Sequence, residues 1–258
     1  MELPPFPPEL LRRLDGYEVR EETAGLSGAG VFRLLAANRP SLIAKLAAGP
    51  EAAALFSEAA RLRWLCSSGV LAPEVLAVAE AQGYVWLIME CLPGENAVDS
   101  IAPPAARVRQ LAIALHKIHA LDAQSCPFDE TVGAKLARAK LRMKLNQVDE
   151  EDLENQTGMT AARLLRELEQ LRPATEDVVV THGDACLENI MLNGGRFSGF
   201  VDCGRVGRSD RYQDLALACR SISEQIGTEW VEPFLRVYGA SSMNKERARF
   251  FLLLDELF

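Results

Sequence analysis

One short stretch, Thr181-His-Gly-Asp-Ala-Cys-Leu-Glu-Asn-Ile190, sets His182, Asp184 and Asn189 in the pattern H-x-D-x4-N. A second, Gly199-Phe-Val-Asp-Cys-Gly204, puts Asp202 at the end of an apolar run. Phosphoryl transfer from a nucleotide asks few groups of a protein. One carboxylate orients the attacking hydroxyl and accepts its proton, and a carboxylate with an amide oxygen holds magnesium on the phosphates. Asp184 fits the first role; Asn189 and Asp202 fit the second. The plainer alternative is that Asp184 and Asn189 only stabilise loop turns. His182 reads as a brace for the loop backbone, with proton transfer as its alternative.

Upstream, two charges stand where burial is expected. Leu42-Ile-Ala-Lys-Leu46 reads as an apolar strand in which Lys45 shares a face with Ile43. Leu55, Glu58, Ala59, Leu62 and Leu65 form one helical stripe, so Glu58 lies within the face that packs inward. A buried charge costs several kcal/mol unless it is paired. The simplest resolution pairs Lys45 with Glu58 and leaves the ammonium to meet nucleotide phosphates. Gly25-Leu-Ser-Gly-Ala-Gly30 could cover phosphates with Ser27 and free backbone N–H groups, or be a plain hairpin turn; no Gly-Lys-Ser/Thr follows it.

The elements that must position these groups follow from periodicity. Strands are expected near Tyr17–Glu22, Val31–Ala36 and Ser41–Leu46, the last two joined by a turn at Asn38-Arg39-Pro40. Gly49-Pro50 opens a helix that Gly69 ends. Val75–Ala79 and Tyr84–Glu90 form a second hairpin, and Leu92-Pro93-Gly94 marks a hinge. Beyond it Val108, Leu111, Ala112, Leu115 and Ile118 fall on one helical face, with further helices at Lys135–Leu145 and Thr160–Leu171. Val178–Thr181 and a hairpin, Ile190–Leu192 with Phe197–Val201 about Asn193-Gly-Gly195, form a β island that would return Asn189 and Asp202 to one place. The tail from Gln213 is helical. The division is a β-rich lobe over 1–91 and a helical lobe over 92–258. Asp214 reads as a brace, capping its helix or holding loop backbone. His116 and His119 share a helix face, but without a third ligand they read as ordinary surface or core residues.

The chain has 258 residues, 48% of them apolar and 25% charged, which excludes a disordered chain. No apolar run is long enough to span a bilayer, and the proline-rich start lacks the basic n-region of a signal peptide. Six cysteines without CxxC spacing read as reduced thiols of a cytoplasmic protein. The net charge of −8 disfavours nucleic acid and suits a cationic partner. Asp149-Glu-Glu-Asp-Leu-Glu154 is one candidate for meeting such a partner, the alternative being a solvated helix start. Asp255 and Glu256, with the α-carboxylate of Phe258, form a second acidic cluster.

Taken together, Val180–Met191, Arg196–Arg205, Asp210-Arg-Tyr-Gln-Asp-Leu-Ala216 and Leu-Leu-Asp-Glu-Leu-Phe258 resemble the aminoglycoside phosphotransferases, and most closely the 3′-phosphotransferases that inactivate kanamycin- and neomycin-type antibiotics. The resemblance implies an α+β, protein-kinase-like bilobal fold with ATP and Mg2+ in the cleft between lobes. It implies Asp184 as catalytic base, Asn189 and Asp202 as metal ligands, and Lys45 with Glu58 at the phosphates. Ser27 then lies in the nucleotide-positioning loop, and Glu90-Cys91-Leu92 is similar to the linker whose backbone meets adenine. Glu154, Asn155, Arg205, Arg220, Glu224, Asp255, Glu256 and Phe258 match positions of the antibiotic site. Asn155, and Ser221 after Arg220, stand where some members carry a carboxylate. The expected partner is a small cationic aminoglycoside, and the expected state a monomer or weak dimer. A kinase of another small metabolite is the alternative within enzymes, and a catalytically inert binding module the alternative outside them.

Overall fold

The computed structural model describes residues 4, 6–22 and 30–258. Ser27 therefore lies outside the described residues. The chain divides into two compact units, Met1–Gly94 with Ser198–Gly204, and Glu95–Phe197 with Arg205–Phe258. A single cut at 91/92 misses this return of the chain: residues 198–204 group with the first unit, and Asp202 goes with them.

In the first unit, α1 (Pro8–Leu14) begins on a proline, whose missing N–H costs nothing at that position, and buries Leu10 and Leu14 one turn apart. Strands β1 (Glu18–Glu21), β2 (Gly30–Ala36) and β3 (Arg39–Ala48), helix α2 (Ala52–Ser67), and strands β4 (Val75–Ala81) and β5 (Tyr84–Glu90) follow. The strands form one antiparallel sheet in the order β1-β2-β3-β5-β4. The β2–β3 turn is shorter than expected. Only Ala37 and Asn38 lie in it, while Arg39 and Pro40 open β3. Pro40 is tolerated there because it faces no paired residue on either neighbouring strand. Gln82 and Gly83, at φ 54° and 80°, make the two-residue β4–β5 turn.

Alternation along β3 separates two environments. Leu42, Ala44 and Leu46 join Phe32, Leu34, Trp86, Ile88, Leu10 and Leu14 in one core cluster. Ile43 and Lys45 point to the opposite face, where α2 buries Leu55, Glu58, Ala59, Leu62 and Leu65. Burying each large apolar side chain contributes about 1.5–3 kcal/mol.

The second unit contains β6 (Glu95–Asn96), α3 (Pro104–His119), α4 (Val132–Lys144), α5 (Glu150–Thr157), α6 (Ala161–Leu171), β7 (Val178–Thr181), β8 (Ile190–Asn193), the start of β9 (Arg196–Phe200), β10 (Gly207–Asp210), α7 (Tyr212–Gln225), α8 (Val231–Tyr238) and α9 (Lys245–Asp255). Its core gathers Leu136 of α4, Leu153 of α5, Leu164 and Leu168 of α6, and Phe250, Phe251 and Leu254 of α9. β7 pairs antiparallel with β10, and Thr181 lies opposite Gly207. This short ladder anchors both ends of the segment that holds the H-x-D-x4-N residues. Among the described residues no helix is long and apolar enough to cross a membrane.

Candidate active site

The first unit pairs its buried charges. Lys45 Nζ donates to Glu58 Oε1 at 2.7 Å and to Oε2 at 2.9 Å, and to Asp202 Oδ1 at 2.9 Å. Glu58 is almost fully buried, whereas the Asp202 side chain is 48% exposed. Burial opposes charge on Lys45, but the Glu58 and Asp202 carboxylates outweigh it and hold its pKa above the ordinary lysine value. Asp202 sits just past β9 at φ 54°, a left-handed conformation that aspartate tolerates better than most residues. One of its oxygens is on Lys45. The Cys91 N–H is consumed by Ser41 O and the Glu90 N–H by Glu74 O. Leu92 is buried next to them in the chain.

In the second unit, the segment after β7 is held by α7. Asp214 is fully buried and accepts the N–H groups of His182 at 2.7 Å and Gly183 at 2.8 Å. It also meets His119 Nε2 at 2.9 Å, and His119 Nδ1 meets the Tyr238 hydroxyl at 2.7 Å. Burial works to raise the Asp214 pKa, but these donors outweigh it and leave the carboxyl below its ordinary value. Asp214 thus holds loop backbone. Gly183 is required at φ 87°, where a β-carbon would overlap the Arg205 carbonyl. Asn189 Nδ2 donates to the Asp184 backbone oxygen and to Asp184 Oδ2, both at 3.0 Å. Those bonds use the amide nitrogen and leave its oxygen, the atom a cation prefers, uncommitted by them. Leu187 N–H is fixed by Ser221 Oγ at 3.0 Å. Burial, with Asp184 and Glu188 nearby, pushes the Cys186 thiol far up, so it stays protonated.

Residues near the end of the chain form a salt-bridge network rather than a bare acidic cluster. Arg205 Nη1 meets Asp255 Oδ1 at 2.8 Å; Arg220 meets Asp255 Oδ2 at 2.9 Å and Glu256 Oε1 at 2.8 Å. The reason is burial: the two carboxylate side chains are only 10% and 19% exposed, and charges so enclosed need partners. Burial still raises the Glu256 pKa, with Arg220 opposing and Asp255 and Asp152 adding to the rise. The Phe258 ring lies 5.7–5.9 Å from Lys135, Arg138 and Arg142. Glu154, Asn155 and Glu224 are exposed, and among the described residues no hydrogen bond joins them to this network. The acidic stretch divides its work. Asp149 caps α5 through the N–H groups of Glu151 and Asp152, and Glu150 accepts the Ala161 N–H. Asp152 and Glu154 are left exposed.

Residues 18–251 match the phosphotransferase enzyme family. The aminoglycoside 3′-phosphotransferase of Streptomyces fradiae is 36% identical, the alignment covering 96% of this chain and 98% of that protein. The chain belongs to the aminoglycoside phosphotransferase family. The crystal structure of a type VIII aminoglycoside 3′-phosphotransferase superposes with a TM-score of 0.86 at 36% identity, over 97% of this chain and 98% of that one. A Streptomyces rimosus aminoglycoside phosphotransferase, solved with ADP and streptomycin, superposes at 0.79 with 31% identity over 96% of each chain. The α+β fold is accordingly the kinase-like fold of this family.

Within that family frame, sequence reasoning missed the supports. His119 is no bystander: it joins Asp214 to Tyr238, which in turn accepts from Arg211 Nη1 at 2.8 Å. His116 is exposed and stacks on Tyr238 with ring centroids 4.8 Å apart. The i, i+3 spacing of the two histidines was the only local signal, and the partners lie on α7 and α8. Gln213 and Lys135 were likewise passed over, although a glutamine and a lysine buried on apolar helix faces are each unusual.

Proposed function

We propose that this family member is an enzyme that transfers the γ-phosphoryl group of ATP to a hydroxyl of aminoglycoside antibiotics, the 3′-hydroxyl in particular, and so inactivates them. The arrangement that carries the proposal is the hydrogen-bonded pair Asp184 and Asn189, held by a loop whose backbone is tied to buried Asp214. Asp184 orients the acceptor hydroxyl and takes its proton as the new P–O bond forms and the bond from the γ-phosphorus to the bridging oxygen of the departing ADP breaks. Lys45, oriented by Glu58, meets the nucleotide phosphates. The Leu92 backbone, beside Glu90, is the proposed contact for adenine, and Ser27 for the phosphates.

Magnesium fits the donors at hand. Among the described residues no three His, Cys, Asp or Glu side chains form a metal cage. Mg2+ takes one or two protein oxygens and completes its shell with phosphate oxygens and water. The Asn189 amide oxygen and the Asp202 carboxylate are the proposed ligands, and bound Mg2+ would offset phosphate charge.

For the acceptor, Asp152, Glu154, Asn155, Glu224, Asp255 and Glu256 supply carboxylates and an amide for ammonium groups, while Arg205, Arg220 and Phe258 shape the wall. A cytoplasmic location, where ATP is abundant, and a monomer or weakly associated dimer complete the proposal. Mass spectrometry of kanamycin incubated with the protein, ATP and Mg2+ tests it. The expected product carries one added phosphate, placed on the 3′-oxygen by NMR. An unchanged antibiotic mass overturns the proposal, and a phosphate elsewhere corrects the regiochemistry.

A further inference from the structure

Lys135 of α4 is only 3% exposed, yet a buried ammonium is expensive and a leucine or methionine would fill the same space. Its polar contact explains its presence. Nζ donates to Gln213 Oε1 at 2.8 Å, and Gln213 Nε2 donates to the Gly183 carbonyl at 3.2 Å. Gln213 is fully buried. The two ends of its amide are nearly the same shape but opposite in hydrogen-bond sense. An ammonium is donor only, so the amide oxygen must face Lys135, and the nitrogen must then face the carbonyl of the residue before Asp184. Without the lysine the buried amide oxygen loses this donor, and the Gly183 carbonyl alone holds the direction of the amide.

The same ammonium lies 5.8 Å from the centre of the Phe258 ring, on a face of α4 that also carries Arg138 and Arg142 at i+3 and i+7. Burial draws the Lys135 pKa down to about 8; Glu130 and Asp255 support its charge while Arg205 and Arg138 oppose it. The ammonium form therefore predominates at neutral pH.

We propose that Lys135 is a positioning residue that couples the seat of Phe258 to the loop carrying Asp184, by fixing the direction of the Gln213 amide. This rests on the reading of Asp184 as the base and goes beyond it, because Lys135 is buried and its ammonium is engaged by Gln213.

Steady-state kinetics with kanamycin and ATP on Lys135→Met, Lys135→Arg, Gln213→Glu and Asp184→Asn test the coupling. Lys135→Met keeps bulk without a donor. Gln213→Glu keeps an acceptor for Lys135 but turns an oxygen toward the Gly183 carbonyl. Both are expected to lose about tenfold or more in kcat with KM for ATP within about twofold of wild type. Lys135→Arg, which retains a cationic donor, is expected to recover to within about threefold of the wild-type kcat. A folded Lys135→Met enzyme with kcat within about twofold of wild type overturns the coupling, as does an equal loss in Lys135→Arg. If circular dichroism shows Lys135→Met unfolded, Gln213→Glu decides by the same criterion, its carboxylate being paired with the ammonium. Asp184→Asn separates the two readings. Full turnover in that variant removes the base, whereas its inactivity beside a fully active Lys135→Met removes only the coupling.

Discussion

The Asp214 carboxylate accepts the backbone N–H of His182 at 2.7 Å, from a helix that begins 30 residues later in the chain. The same carboxylate takes the Gly183 N–H. Two successive peptide groups leading into Asp184 are therefore set by one buried anion, and His119 and Tyr238 hold that anion from the other side.

Asp214→Asn is expected to lower stability by about 3 kcal/mol at pH 7, because it removes a buried charge and leaves its donors poorly matched. The pH dependence has a definite sign. The folded pKa lies below the ordinary value of 3.8, so the stabilisation is complete above that value and is lost as pH falls through the folded pKa. Urea midpoints measured down to pH 3 should fall less steeply in the variant than in wild type below about pH 4.

Asp184→Ala is expected to reduce kcat by about 10²–10⁴-fold, the usual worth of a positioned base. Calorimetric titration with ATP should give nearly wild-type affinity. An undiminished kcat would take Asp184 out of the chemistry.

Glu58→Gln leaves Lys45 with Asp202 as its remaining carboxylate partner. The ammonium is then drawn toward Asp202, away from the position Glu58 fixes. KM for ATP should rise about tenfold, equivalent to about 1.4 kcal/mol, and the melting temperature should fall. Paired thermal melts and ATP kinetics check both effects.

Asp152→Asn with Glu154→Gln removes two exposed carboxylates from α5 while sparing the Asp149 cap. KM for kanamycin should rise severalfold at low ionic strength and lose part of its dependence on salt, since exposed charges are screened within about 10 Å at 0.1 M. Identical kinetics from 20 to 500 mM salt, on the order of magnitude relevant to screening, would reduce this stretch to a solvated helix start.

How much of this was legible depended on whether the cause was local. Lys45 and Glu58 could be matched because each broke an apolar pattern of its own element, and the pair is observed at 2.7 Å. Helix α2 announced its ends through Gly49-Pro50 and Gly69. Strand β10 could not be read, since Gly-Arg-Ser-Asp has no β pattern and is extended only because β7 supplies its partners. The arginine pairing of Asp255 and Glu256 was hidden for the same reason: the arginines arrive from Arg205 and from α7, 35 or more residues earlier. Helix α1 was passed over because it is a seven-residue segment amid prolines, stabilised by the sheet face that covers Leu10 and Leu14.

The return of Ser198–Gly204 to the first unit bears on how such chains can be recombined. Asp202, the second anion on Lys45, is encoded more than 100 codons beyond the linker at Gly94. A single crossover there would join one parent's lysine to the other parent's aspartate. Chimeras that swap the first unit as a block need two exchanges, with the short second insert carried along.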